Sequence, residues 1–225
     1  MQLYIGNKNY SSWSLRPWLA LRQLGIPFEE VKLRLSFTEG SPFKNTLQAL
    51  GAPGRVPVLV DGDLVVWDTL AIVETVAERF PALWPADARQ RARARSLCAE
   101  MHSGFSALRG HCPMNVEADL AEVGAKIWRE QAAVRHDVAR IEQLWSEQLA
   151  ASGGPMLFGG FCAADAFFAP VAVRLRAYAL PIGDTAGGYV DRLFALPAMQ
   201  QWVADALAEQ DFLDFDEPYR KPPAG

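Results

Sequence analysis

The segment Phe80-Pro81-Ala82-Leu83-Trp84-Pro85 divides this 225-residue sequence into two stretches with different hydrophobic patterns. Before it, strand and helix signals alternate. Residues 2–6 read as a short strand. Residues 14–24 read as a helix, with Pro17 in its first turn and Gly25 ending it ahead of Pro27. A second strand is expected over 28–34, where Phe28, Val31 and Leu33 are apolar. One helical turn follows near 47–50, and the breakers Gly51-Ala52-Pro53-Gly54 stop it. Val58-Leu59-Val60 and Leu64-Val65-Val66 flank Asp61-Gly62-Asp63, a hairpin signal. An amphipathic helix over 69–80 completes the order βαβ, short helix, ββα.

Beyond the proline pair no β-rich run with turn chemistry recurs. Asp87 can cap a helix reaching about residue 112, stopped by Pro113. Long helices are expected over 117–151 and 166–180, and one or two more over 193–209. Two domains follow: an α/β unit over 1–80, a linker over 81–86 and an all-helical unit over 87–225. Each is small, so a broad apolar interface between them is expected.

Composition excludes several classes. Half of the residues are apolar, too many for a disordered chain. A formal net charge of −4 gives no electrostatic footprint for nucleic acid or an anionic membrane. The most apolar stretch, 158–173, contains Asp165 and Pro170 and is shorter than the ~20 residues a membrane helix needs. Cys98, Cys112 and Cys162 form neither a disulfide framework nor a metal or redox motif. The opening residues are too short and polar for a signal segment. A cytoplasmic protein with no metal, nucleic-acid partner or membrane partner is the expectation.

Four features carry a resemblance: Tyr10-Ser11-Ser12-Trp13-Ser14-Leu15-Arg16 between the first strand and helix; Arg55-Val56-Pro57 before the hairpin; Trp67-Asp68-Thr69-Leu70 where the hairpin enters a helix; and Gly159-Gly160-Phe161-Cys162-Ala163-Ala164-Asp165 before the most apolar helix. Their order and spacing resemble the cytosolic glutathione S-transferases of the serine type, closest to the zeta class that includes maleylacetoacetate isomerases. The resemblance covers nearly the whole chain. It implies a thioredoxin-like N-terminal domain, an all-α C-terminal domain, glutathione as co-substrate or cofactor, a small electrophilic second substrate and a homodimer.

The chemistry of these residues fits that implication. A free thiol of pKa ~8.5 is only about 3% ionised at pH 7; lowering it to ~6.5 makes roughly three-quarters of it thiolate. A hydroxyl at a helix N-terminus stabilises the anion through its hydrogen bond and the helix dipole. By resemblance Ser11 is that catalytic group, with Ser12 and Ser14 as alternatives and plain helix capping as the bland reading. No cysteine lies in this turn, which argues against disulfide-exchange chemistry. By resemblance Val56–Pro57 is a cis bond whose Val56 main chain pairs with the cysteinyl part of glutathione, with Arg55 beside it. Asp68-Thr69 replaces the Glu-Ser of many relatives; Asp68 can pair with an ammonium, and Thr69 with first-turn N–H groups can bind a carboxylate. The same pair also serves as an N-cap.

Asp165 is structural: it should cap the apolar helix, and Cys162 in place of a hydroxyl residue should leave the reciprocal bond weak or absent. Candidate acceptor-substrate residues are Trp13, then His102, Phe105 and Arg109 at three- and four-residue spacing on one helix, and Arg174. Trp18 and Met114 suit a core equally well. Arg89, Arg91, Arg93 and Arg95 read as a solvated or ion-paired surface. Alternative functions are glutathione-dependent cis–trans isomerisation of a maleylacetoacetate-type diacid, and a non-catalytic binding module on the same fold.

Overall fold

A computed structural model describes residues 1–222; the last three positions of the helical unit expected over 87–225 lie outside the described residues. The elements are β1 (Gln2–Ile5), α1 (Ser12–Gln23), β2 (Glu29–Lys32), α2 (Pro42–Ala49), β3 (Val58–Asp61), β4 (Leu64–Trp67) and α3 (Thr69–Ala77). Then follow a 3-10 turn at Pro81–Leu83, α4 (Ala88–Ser103), α5 (Ser106–His111), α6 (Ala121–Glu130), α7 (Ala132–Ser152), α8 (Ala163–Ala177), α9 (Asp184–Ala195), α10 (Pro197–Glu209) and a 3-10 turn at Asp214–Asp216.

The sheet order is β2-β1-β3-β4, with β1 parallel to β2 and antiparallel to β3, and β3 antiparallel to β4. That is the expected thioredoxin-like arrangement. The hairpin closes at Gly62, whose φ of +65° is open to glycine at no steric cost. Leu3 and Leu59 pair across the sheet and both lie in the core. That core runs from β1 through α1 and α3 into α4, α7 and α8 without interruption, so the strand-bearing and helical parts share one apolar interior. A second cluster on the other side of the sheet joins Tyr10, Leu35, Phe43, Leu47 and Val58 to Leu213 from the C-terminal segment.

Three expected elements are corrected. Only one turn was expected near 47–50, but Ser41 caps a full helix, accepting from the Lys44 N–H at 3.3 Å, with Pro42 in the first turn. The helix expected to reach residue 112 ends at Ser103; Gly104 and Phe105 (φ +55°) break it, and α5 restarts because Asp137 accepts from the Leu108 N–H at 2.9 Å. The helix expected over 117–151 is divided at Gln131 into α6 and α7. At α8, Asp165 accepts from the N–H groups of Cys162 (2.9 Å) and Leu157 (3.1 Å) and from the Tyr189 hydroxyl (2.8 Å). The reciprocal bond expected to be weak or absent is made: the Cys162 sulfur accepts from the Asp165 N–H, completing the box. Burial pushes the Asp165 carboxyl up, and these hydrogen bonds oppose it. Two of the four arginines in α4 are ion-paired, Arg95 with Glu74 at 2.7 Å and Arg93 with Glu147 at 3.7 Å, while Arg91 donates to the main-chain oxygens of Pro85 and Ala86.

Candidate functional site

The first turn of α1 is built from three serines with different surroundings. Ser11 caps the helix, its Oγ accepting from the Ser14 N–H at 3.4 Å, while its hydroxyl donates to Ser14 Oγ at 2.7 Å. Ser14 is fully buried, and its Oγ also accepts from the Gly6 N–H at 3.1 Å. Its hydroxyl is thereby committed to joining β1 to α1. Ser11 and Ser12 line a cleft lobe of about 520 Å³; a second lobe of about 690 Å³ is continuous with it through Trp13, Arg55, Val56 and Arg109.

Pro57 follows a cis peptide bond, as the resemblance implies, and Val56 lies just outside the ladder that starts at Val58. Val56 lines the cleft next to Pro53 and Pro57. Asp68 and Thr69 line the same lobe. Asp68 has φ +75°, uncommon for a residue with a side chain, and its Oδ1 caps α3 by accepting from the Leu70 N–H at 2.8 Å. Thr69 is wholly buried at the first turn of α3.

His102 meets both. Its Nε2 is 3.2 Å from Asp68 Oδ2 and its Nδ1 is 3.4 Å from Thr69 Oγ1. A neutral ring with its proton on Nε2 satisfies both contacts, donating to Asp68 and accepting from Thr69. Burial lowers the His102 pKa; Asp68 opposes that shift, and Arg16 and Arg109 add to it. The chain break before α5 separates the three residues expected on one helical face. Phe105 is buried at the break and does not line the cleft, whereas His102 and Arg109 do.

Trp13 gathers the cations. Its ring packs edge-on against His102 at 5.0 Å, with the guanidinium groups of Arg16 and Arg109 at 4.2 and 4.9 Å. Arg16 is 1% exposed, and its Nε and Nη1 have no hydrogen-bond partner among the described residues. Burial lowers it to about 9, and Arg174 and Arg109 push in the same direction; it remains charged at neutral pH. Arg174 lines the lobe beside Ser11 and bonds only to the main-chain oxygens of Cys112 (2.8 Å) and Pro170 (3.1 Å) among the described residues. Burial and Arg109 lower it to about 10. Three guanidinium groups thus converge without a carboxylate partner among the described residues, an arrangement that favours an anionic ligand.

Lys44, from the helix missing at the sequence level, also lines the Ser11 lobe, its Nζ on Gly54 O at 3.3 Å. Asp216 reaches the same lobe from the far end of the chain. Neither carried a motif. Trp18 is core, donating to Glu30 at 2.6 Å, while Met114 is buried yet borders the lobe. Burial raises the Cys98, Cys112 and Cys162 thiols, which lie inside the fold. Among the described residues no group of three or more His, Cys, Asp or Glu is arranged to hold a metal, and no helix is long and apolar enough to cross a membrane.

Comparison with known proteins agrees with this geometry. Residues 10–79 match the family model for the glutathione S-transferase N-terminal domain. The chain is 36% identical to glutathione S-transferase 1 of Dianthus caryophyllus over 94 residues, 41% of each chain. It is 29% identical to maleylacetoacetate isomerase of Rattus norvegicus over 132 residues, 58% of this chain and 59% of that one. The chain spans about two-fifths of the length of the first curated relatives it matches. Among solved structures, a glutathione transferase homolog from Burkholderia gl BGR1 with bound glutathione superposes with a TM-score of 0.67 at 25% identity, covering 91% of this chain and 97% of that one. Residues 10–79 are therefore a glutathione S-transferase N-terminal domain, and the chain as a whole has the glutathione S-transferase fold.

Proposed function

We propose that this protein is a glutathione transferase that binds the tripeptide along the cleft, holds its thiol as thiolate through Ser11 and adds it to a small electrophile. The observation that carries the reading is the convergence of Ser11, the Val56 main chain and the Asp68–Thr69 pair on one continuous cleft. Asp68 supplies an acceptor for the ammonium of a γ-glutamyl end, and the main-chain N–H of Thr69 at the first turn of α3 supplies a donor for its carboxylate. Val56, which has no main-chain hydrogen bond among the described residues, offers its N–H and C=O to the cysteinyl peptide. Arg55 and Lys44 suit the glycyl carboxylate. Ser11 turns its O–H from Ser14 towards the sulfur, where the α1 N-terminus adds positive potential. Trp13, Arg109 and Arg174 border the acceptor side.

A second reading, glutathione-dependent isomerisation of a maleylacetoacetate-type diacid, is favoured by Arg109 and Arg174, which face the cleft with no carboxylate partner among the described residues. Residues 1–80 and 87–225 act as two domains joined by 81–86, working as a cytoplasmic homodimer. Glutathione titration, followed by turnover with a chlorodinitrobenzene and with a maleyl diacid, tests both readings. Turnover of the arene supports transfer, and cis–trans conversion without consumption of glutathione supports isomerisation. Glutathione binding with neither reaction would leave a binding module.

A further inference from the structure

After α10 the chain returns to the first turn of α1, and Asp216 reaches the Ser11 lobe. Asp211 accepts three bonds from Arg34 at 2.8, 2.9 and 3.2 Å and one from the Asn7 amide at 3.0 Å. Leu213 is buried in the second core cluster beside Tyr10. The Tyr10 hydroxyl donates to Glu217 Oε1 at 2.8 Å, and Asn115 donates to the same oxygen at 2.8 Å. Arg220 pairs with Glu217 and with Glu117, and the Tyr219 hydroxyl donates to His111 O at 2.8 Å. The segment is therefore fixed to the residue preceding Ser11 on one side and to the helical part on the other.

Asp216 of this segment lines the Ser11 lobe, and its neighbour Phe215 packs against a residue that does. Phe215 meets Phe37 edge-on at 5.2 Å, and Phe37 lines the lobe; both rings are about half exposed. Asp216 lines the same lobe and is its one carboxylate among the described residues, in a lining that also holds Lys44, Arg55, Arg109 and Arg174.

We propose that the segment Asp211–Arg220 is the acceptor-facing wall of the cleft, that Phe215 with Phe37 contacts the apolar body of the electrophile, and that Asp216 sets its charge preference. This rests on the transferase reading. An ionised Asp216 puts negative charge into a lobe that otherwise attracts anions, so it disfavours a carboxylate-bearing electrophile relative to a neutral one. Burial, aided by Glu217, raises the Asp216 carboxyl to about 6, which makes the preference change with pH. The ionisable groups around it are Glu217 on its own segment, Tyr10 from the first turn, and the four cations of the lobe.

The test is calorimetric binding of glutathione, S-benzylglutathione and S-(4-carboxybenzyl)glutathione to the parent, Asp216→Asn and Phe215→Ala proteins. Asp216→Asn should bind the carboxybenzyl conjugate about threefold more tightly than the parent at pH about 7.5 and equally at pH about 5. Its affinities for glutathione and the benzyl conjugate, which share the glycyl carboxylate placed at Arg55 and Lys44, should change by one common and smaller factor. Phe215→Ala should weaken both conjugates about threefold and leave glutathione unaffected. Unchanged conjugate affinities in either variant, or equal shifts for all three ligands, would overturn the proposal. If the parent binds glutathione but the variants do not discriminate, only this inference falls; if the parent binds no glutathione compound, the transferase reading falls and removes this inference with it.

Discussion

His102 Nε2 and Asp68 Oδ2 stand 3.2 Å apart, so α4 of the helical part holds the carboxylate that caps α3. The Thr69 hydroxyl completes the arrangement on the other ring nitrogen. One imidazole therefore orients both residues proposed to hold the γ-glutamyl end. His102→Ala should raise the glutathione KM about threefold to tenfold with a smaller change in kcat, the signature of lost binding. His102→Gln, which can keep one donor and one acceptor, should restore part of it. A KM equal to the parent's would remove His102 from the site.

The lowered pKa of His102 carries a sign. Burial favours the neutral ring, so the stabilisation is present above the unfolded value of 6.5 and is lost as pH falls through it towards the lower folded pKa. His102→Gln should flatten the acid side of the stability profile in that window. Urea midpoints across pH, parent against variant, read this directly.

Asp165 satisfies three buried donors from three parts of the chain. Asp165→Ala should therefore cost about 3 kcal/mol or more in unfolding free energy. Glutathione affinity of the protein that remains folded should match the parent's. Denaturant unfolding with a binding measurement separates the two effects.

Gly124 marks a close approach in the helical part. A Cβ there would sit 1.7 Å from Tyr178 O, a main-chain atom that cannot swing aside. Gly124→Ala should destabilise the protein by about 2 kcal/mol even though alanine is the better helix former. A melting temperature at or above the parent's would contradict that packing.

Arg174 tests the anionic side of the cleft. Arg174→Met should weaken a carboxylate-bearing acceptor by about tenfold and leave glutathione KM near the parent value. Comparing a carboxylated with a neutral chloroarene checks the charge dependence.

The strand-bearing part was legible because its signals are local. Asp61-Gly62-Asp63 specifies a turn, and Gly25 and Pro57 punctuate the chain where the structure turns. The helix breaks were not, because their causes are distant in sequence. Asp137 caps α5 from 29 residues beyond Leu108, and Phe105 accepts a left-handed backbone where its ring is buried. His102 could be identified as a candidate residue, yet its contact with Asp68 joins two helices whose approach no local pattern encodes. Lys44 and Asp216 escaped for the same reason: one stands on a helix reduced to a single turn, the other enters the cleft through contacts that span 207 residues, as between Tyr10 and Glu217.

The central claim is that the Ser11 hydroxyl lowers the thiol pKa of bound glutathione. Ultraviolet titration of the thiolate, in the parent and in Ser11→Ala, measures it directly. The parent should show a bound-thiol pKa near ~6.5, and the variant a value raised by about one unit or more towards the free value of ~8.5, with turnover at neutral pH reduced about tenfold or more. A bound-thiol pKa and rate unchanged in Ser11→Ala would contradict the account and transfer the role to Ser12, the other serine that lines the cleft.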